Sequence, residues 1–316
     1  MSDSLDALFN RKPPTWFERF AASPQRFVAE TLYQLRPNHR MRTRPLSMTI
    51  SSKQLHVVCL SDSHNHEIQN VPDGDILIHA GDLTNRGTVP EVQAAIDWLD
   101  ALPHKYKIVI AGNHELCLDS SYQERDTAAY YSPPDSLNWK SLLYLNDSSA
   151  VISIPGKSRP VKVYGNPWTP KQGNWAFQYL RSEDFWKDKI PADVDILVTH
   201  GPPRHYLDNH AGCISLLQDI WRVRPKLHVF GHIHSARGYH VLDFTPIQKK
   251  YEILSDGRGG VWEMIVLAWS LVVAHLLSLA YIREGQHETI LINAAMVKGL
   301  KNDSVHDDVA TATMAL

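Results

Sequence analysis

The sequence predicts a layered α/β fold. Three observations carry that expectation. Short, β-branched apolar runs recur from residue 55 onward, helical patterns lie between some of them, and polar clusters with glycine close the central runs. Apolar runs of that kind suit strands covered on both faces. Strands alternating with helices argue for α/β layers.

The elements follow in chain order. Residues 1–50 read as an N-terminal helical and basic arm. "PTWFERFAA" and "PQRFVAETLYQL" have the pattern of short amphipathic helices separated by proline, and "RPNHRMRTRP" is basic. Two readings stay open for this arm: a helical arm packed on the domain or partly disordered, or a basic contact with a membrane surface. Strands are predicted at "LHVVCL" (55–60), "DILIHA" (75–80), "KIVIA" (107–111), "AVISI" (150–154), "VKVYG" (161–165), "DILVTH" (195–200), "LHVFG" (227–231) and "TILINA" (289–294). Helices are predicted over "PEVQAAIDWLDAL", where Pro90 suits a first helical position, and over "CISLLQDIWRV". The main domain is expected over 51–300. Residues 301–316 are expected to be a flexible tail with room for a last short strand.

Composition narrows the function classes. The 316 residues are 43% hydrophobic and 21% charged, enough to build a sizeable core. A net charge of −2 gives no long-range pull toward nucleic acid, so no nucleic-acid polymer is expected as partner. The three cysteines, Cys59, Cys117 and Cys213, are odd in number and form no CxxC pair. That argues against a disulfide framework and against a thiolate zinc site, and for a reducing compartment. "MSDSLDALFNRKPP" lacks a charged-then-apolar signal pattern, so the expectation is a cytoplasmic chain that is not secreted.

The chemistry gathers at the strand ends. "SDSHNH", "GDLTNRG", "GNHE", "THGPP" and "GHIH" each follow or close a predicted strand. In open α/β sheets ligands sit beyond the carboxyl ends of the strands, so five such clusters point to one place. Asp62, His64, Asp82, Asn113, His200, His232 and His234 offer carboxylate, amide and imidazole donors and no thiolate. Mixed oxygen and nitrogen donors favour manganese, iron or zinc over calcium. Seven donors exceed one tetrahedral ion and suit two ions bridged by a carboxylate. Two divalent ions roughly 3.5–4 Å apart clamp the attacking and leaving oxygens of a phosphoester. Gly81, Gly112 and Gly231 precede donors at sharp turns, where backbone freedom and space are both needed. Asp62 with His64, and His232 with His234, are alternate residues that project to one side of an extended segment. Each cluster alone reads as a solvated loop or a satisfied core histidine. Five in this order are not a coincidence of that kind.

In order, D-x-H, G-D, G-N-H-E, T-H-G and G-H-x-H resemble the calcineurin-like metallophosphoesterase superfamily. "DILIHAGDLT", "YKIVIAGNHEL", "VYGNPWTP", "DILVTHGPP" and "RPKLHVFGHIH" are more narrowly similar to the metallophosphoesterase-domain-containing proteins of animal brain, which have fungal relatives. The resemblance covers about 53–240, with "INA" at 292–294 as a further match. It implies a β-sandwich flanked by helices with two metals at the strand ends. It implies that Asp62, His64 and His234 hold the first metal, that Asp82 bridges, and that Asn113, His200 and His232 hold the second. His114 is implied to contact the phosphate and to protonate the leaving oxygen, with in-line attack by a metal-bound hydroxide. Some members of the narrower family carry glycine at the first histidine of G-H-x-H. This chain has His232, which implies a full two-metal centre.

Around the site, "NPWTPKQGNWAF" offers Trp168 and Trp175 as rim aromatics or as packing residues. Arg86 and Arg204 are candidate phosphate contacts, and Glu115 and Asp119 candidate supports for the loops. The chain departs from its compact relatives in an insert at about 245–286. Within it, "MIVLAWSLVVAHLLSLAYI" (264–282) has the length of a membrane span. A single crossing would put "GHIH" and "TILINA" on opposite sides of the membrane, so a packed helix, a lid, a dimer contact or an in-plane or re-entrant membrane element is expected ahead of a true span. Ser270 and His275 interrupt the apolar run. The functional expectation is a two-metal phosphoester hydrolase acting on a small phosphodiester such as a cyclic nucleotide. The alternatives are a nucleotide-binding scaffold with vestigial activity, or a metallohydrolase recruited to a lipid-like or specialised-metabolite substrate.

Overall fold

The computed structural model describes residues 15–36, 54–125, 137–279, 287–298 and 304–316. In chain order the helices are α1 (Trp16–Ala22), α2 (Pro24–Gln34), α3 (Val89–Ala101), α4 (Ser120–Arg125), α5 (Ile214–Val223), α6 (Pro246–Ser255) and α7 (Val261–Leu279). The strands are β1 (Gln54–Leu60), β2 (Ile76–Ala80), β3 (Tyr106–Ile110), β4 (Leu142–Tyr144), β5 (Ser148–Ile152), β6 (Val161–Asn166), β7 (Thr169–Pro170), β8 (Gln178–Tyr179), β9 (Ile196–Thr199), β10 (Leu227–Phe230), β11 (Gly238–Asp243), β12 (Glu288–Asn293), β13 (Val297–Lys298), β14 (Ser304–Val305) and β15 (Ala310–Ala315). The chain divides into two compact units. One comprises Arg44–Val241 with Glu288–Leu316, the other Met1–Thr43 with Leu242–His287.

The larger unit is built on two main sheets. One has the order β15-β1-β2-β3-β4 and the other β11-β12-β10-β9-β6-β5. Strands β1, β2, β3 and β4 run parallel, as do β6, β9, β10 and β12, so their carboxyl ends share one direction within each sheet. Alternation explains the layering. Leu55, Val57 and Cys59 of β1 lie in one buried cluster with Ile76, Ile108, Val163, Ile196, Val229 and Ile292, which joins the two sheets face to face. Val58 and Leu60 point the other way, into a second cluster with Val92, Ala95, Ile96 and Leu99 of α3. Those four residues fall at the 3–4 spacing of a helix face. A capping box starts α3: Thr88 Oγ accepts from Glu91 N at 3.4 Å, and the Glu91 carboxylate accepts from Thr88 N at 3.1 Å. The mixed α/β layers with helices outside match the fold class read from the sequence. The three cysteines are buried and none is in a disulfide.

Three elements differ from the sequence reading. Residues 310–315, in a tail expected to be flexible with room for a last short strand, form the six-residue β15, antiparallel to β1 with Leu55 opposite Met314. Pairing at this edge satisfies backbone groups that alternating Ala and Thr side chains do not advertise. The strand expected at 150–154 is β5 at 148–152, set by its antiparallel register with β6. Strand β11 follows "GHIH" directly and covers β12, which is therefore not a sheet edge.

The smaller unit joins two stretches far apart in sequence, α1 with α2 and α6 with α7. Ala29, Leu254, Leu267 and Leu271 form its core, with Leu32, Ile247, Tyr251 and Met264 packed against them. Tyr33 stacks on Tyr251 at 3.9 Å between ring centroids, and its hydroxyl donates to Gln248. Gln25 Nε2 donates to the Gly259 carbonyl at 2.8 Å. Helix α2 of the arm and helices α6 and α7 of the insert thus share one core. Helix α7 presents a second apolar stripe, Trp262, Ile265, Trp269, Val272 and Leu276, which stays exposed. Among the described residues no helix is long and apolar enough to cross a membrane. Residues 280–282 of the apolar run lie outside the described residues.

Candidate metal centre

Backbone hydrogen bonds between strand-end loops assemble the site. Asp62 N donates to Gly81 O at 2.9 Å, His64 N to Asp82 O at 3.2 Å and Gly231 N to His200 O at 2.9 Å. Two overlapping donor groups result, Asp62 with His64, Asp82 and His234, and Asp82 with His200 and His232. Within each group the ligand atoms lie within 4.8 Å of one another. His234 Nε2 is 3.1 Å from Asp62 Oδ1, and His200 Nε2 is 3.2 Å from Asp82 Oδ2. Asn113 Oδ1 joins the second group, 3.0 Å from His200 Nε2. All seven donors named from the sequence therefore converge, and Asp82 belongs to both groups. His232 and His234 fall in different ones.

The convergence does not come from strand alternation. Asp62 (φ 51°), His64 (φ 44°), Asp82 (φ 52°) and His232 (φ 69°) are all left-handed, so the pairs 62/64 and 232/234 leave their strands in tight turns. A left-handed backbone costs a non-glycine residue roughly 1–2 kcal/mol. Strain of that kind collects at functional sites held by surrounding structure. The glycines divide by role. Gly81 needs its positive φ of 94°. Gly231 is needed for space, since a Cβ there would come within 1.9 Å of Asp62 Oδ2.

Backbone carbonyls set the imidazole tautomers. A carbonyl only accepts, so His200 Nδ1 donates to Ala80 O at 2.9 Å and His64 Nδ1 donates to Thr84 O at 3.2 Å. In both rings Nε2 is then left with its lone pair in the neutral form, which is what a metal ligand needs. His64 Nε2 is buried and has no hydrogen-bond partner. His114 Nδ1 likewise donates to Asn85 O, at 2.7 Å.

The electrostatics show carboxylates seeking positive charge. Burial would raise the Asp62 carboxyl, but the hydrogen bond and charge of His234 and the charge of His200 hold it well below the usual range. Burial of Asp82 is likewise outweighed, chiefly by His200 and then His114. For His200 burial works downward, and the charge and hydrogen bond of Asp82 overcome it, raising the ring to about 9. Glu115 lies beneath the loops. Its carboxylate accepts from Gly112 N at 2.7 Å, Asp82 N at 2.9 Å, Thr84 N at 3.0 Å and Thr84 Oγ1 at 2.9 Å. Burial and then the charge of Asp82 push it up to about 7, against those hydrogen bonds. It ties the turn carrying Asp82 to the turn carrying Asn113 and His114.

The profile of the calcineurin-like phosphoesterases matches residues 55–236. The chain belongs to that family. Among curated proteins, one from Emericella nidulans named probable rhamnogalacturonate lyase C is 42% identical over 94% of this chain and 28% of its own length. Human metallophosphoesterase domain-containing protein 1 is 40% identical over 57% of this chain and 61% of its own. A UPF0046 protein of Caenorhabditis elegans is 36% identical over 61% of this chain and 73% of its own. The chain thus spans less than two thirds of the first two relatives.

The residues named for substrate fall differently around this centre. Arg86 is exposed on the loop after Asp82. The Arg204 guanidinium donates to the carbonyl of His210. Trp168 packs in the aromatic cluster, edge-on to Phe177 at 5.8 Å and tilted on Phe185 at 5.7 Å. Trp175, by contrast, reaches the centre and stacks on His114. Asp119 accepts from Phe177 N at 2.8 Å and from Ser121 N at 2.9 Å, fixing the loop below Trp175. Sequence reasoning missed the carbonyls of Ala80, Thr84 and Asn85, because a backbone acceptor leaves no mark on residue type.

Proposed function

We propose that this chain is a two-metal phosphoester hydrolase that cleaves a small phosphodiester, a cyclic nucleotide or a molecule like it. The observation that carries the reading is the pair of donor groups sharing Asp82. The donors fit divalent ions: the buried, unpartnered Nε2 of His64 and the carboxylates held low by neighbouring imidazoles are both groups a cation would satisfy. Asp62, His64, Asp82 and His234 would hold one ion, and Asp82, Asn113, His200 and His232 the other. The oxygen and nitrogen donor set supports manganese, iron or zinc. Ions held there supply Lewis acidity toward phosphoryl oxygens and neutralise their charge.

The chain's own groups do the rest. Glu115 and the carbonyls of Ala80 and Thr84 orient the donors. His114 N donates to Asp82 Oδ1 at 2.9 Å, which ties the catalytic histidine to the shared carboxylate. With Nδ1 committed to Asn85 O, the proton for the leaving oxygen is carried on Nε2. General acid assistance of this kind is worth about 10²–10⁴-fold. The lyase activity in the Emericella relative's name belongs to a protein of which this chain covers 28%, and the donor set here supports phosphoester hydrolysis instead.

The test uses protein reconstituted with manganese, iron or zinc. Bis(4-nitrophenyl) phosphate and a cyclic nucleotide should be hydrolysed faster than 4-nitrophenyl phosphate, and metal analysis should give two ions per chain. His114→Ala should keep the ions and lose the rate. A fully loaded protein that turns over no mono- or diester sinks the proposal and leaves a nucleotide-binding scaffold.

A further inference from the structure

We propose that Trp175 is a positioning residue for His114, setting the plane of its imidazole. The proposal rests on the reading of His114 as the proton donor. The two rings stack with centroids 4.3 Å apart and an interplanar angle of 29°. His114 has one ring hydrogen bond, from Nδ1 to Asn85 O at 2.7 Å, and a flat ring hinged on one hydrogen bond keeps the freedom to swing about it. His64 meets His114 edge-on, at 4.8 Å and 89°, and the indole lies along its face, so both neighbours restrict that swing.

Trp175 is itself fixed to the turn it serves. Ala176 N donates to Asn113 O at 3.2 Å, so the tryptophan loop is bonded to the residue preceding His114. Trp175 N donates to Gln178 Oε1 at 3.4 Å, and Gln178 Nε2 donates to Gln172 O at 3.0 Å, closing the loop on itself. The indole packs on the cluster of Ala111, Leu116, Ala176 and Phe177. Gly173 makes room for it, since a Cβ there would lie 3.3 Å from indole Cδ1 and Nε1. With His114 on its face, this indole orients the catalytic ring rather than serving as a platform for a substrate base.

The experiment compares Trp175→Leu, Trp175→Gln and Trp175→Phe in the metal-loaded full chain. Leu and Gln should lower kcat by about 10–10²-fold with KM and metal content unchanged, and Phe should restore most of the rate. In a His114→Ala background the Leu substitution should cost nothing further. A second readout needs no turnover: the His114 ring-proton resonance, assigned by its loss in His114→Ala, should be shifted upfield by the indole in the wild type. It should stay upfield in the Phe variant and move downfield in Leu and Gln. A rise in KM alone, an equal cost in the His114→Ala background, or an unmoved His114 resonance would each overturn the proposal. Absence of wild-type turnover would defeat the proposed hydrolase while the resonance still decides what Trp175 does to His114.

Discussion

The two units teach opposite lessons about what a sequence records. In the larger unit, function depends on side chains that must be chemically specific, so the residue types announce themselves. Asp62, His64, Asp82, Asn113, His200, His232 and His234 were named by their place at strand ends, and the structure brings them within reach of one another. In the smaller unit, α2, with α1 packed on it, meets α6 and α7 across more than two hundred residues of intervening chain. Their meeting depends on apolar surface, which Leu, Ala and Met supply interchangeably, so nothing in the sequence says which run covers which. One unit is specified by chemistry and the other by packing. Substitutions should therefore separate activity from stability along the same boundary.

The largest expected effect is at Asp82, the one donor common to both groups. Asp82→Ala should drop phosphodiester hydrolysis to background and reduce bound metal, and dialysis against a chelator should do the same to the wild type. The imidazoles around Asp82 also lose the charge they face, so folding should be followed alongside by circular dichroism. A variant with full metal content and full rate would break the comparison at its strongest point.

Next comes the core of the smaller unit. Leu267 is fully buried against Ala29 and Leu254. Leu267→Ala should cost about 2–5 kcal/mol by lost burial and cavity formation. Denaturant unfolding measures this directly, while hydrolysis per folded molecule should hold. Loss of rate without loss of stability would mean that the smaller unit takes part in catalysis.

Glu115 tests the boundary from inside the larger unit. Its four accepted hydrogen bonds hold both donor-bearing turns, yet it is not in either donor group. Glu115→Gln replaces an acceptor with a donor against backbone N–H groups. Metal affinity should fall about 10–100-fold, as for other groups that orient ligands without touching the ion. Competition against a chromogenic chelator reads it. An unchanged affinity would show that the turns hold themselves.

How far the sequence could be read follows from the same distinction. The strands with strong β-branched runs, β1, β2, β3, β9 and β10, were legible because both faces are buried. Strand β15, "ATATMA", was legible only as room for a last short strand, because alanine is a poor strand former and half the strand faces out. Glu115 could be flagged beside "GNH", but its hold on Thr84 could not, since the partner is a backbone N–H thirty-one residues away. The tight turns at Asp62, His64 and His232 were not legible either: aspartate and histidine are enriched in left-handed backbone, but too weakly to mark a given position.

A smaller effect tests burial chemistry away from the metals. His228 is fully buried in β10 with Nε2 at 2.8 Å from Thr199 Oγ1, and burial pushes its pKa down from 6.5 to about 3. The folded state keeps the ring neutral, while the unfolded chain takes up a proton near 6.5. Its contribution is therefore intact above that value and is lost as the pH falls from 6.5 toward 3, at about 1.4 kcal/mol per pH unit. His228→Gln should flatten the acid limb of the stability profile between pH 6.5 and 5 relative to wild type, whatever its effect at pH 8. Parallel profiles would place the acid sensitivity elsewhere.

The smallest effect lies on the exposed face of α7 and makes the sharpest contrast with Leu267. Trp262 and Trp269 are 69% and 67% exposed, two helical turns apart on the same stripe as Ile265 and Val272. Removing side chains that already face water forfeits little burial, so Trp262→Ser and Trp269→Ser should each move stability within about 0.5 kcal/mol. The helix would then have one face that holds the unit together and one that the isolated chain does not need. Equal costs at Leu267 and Trp269 would mean that the stripe is covered in solution, and sedimentation at rising protein concentration would tell whether a second copy covers it.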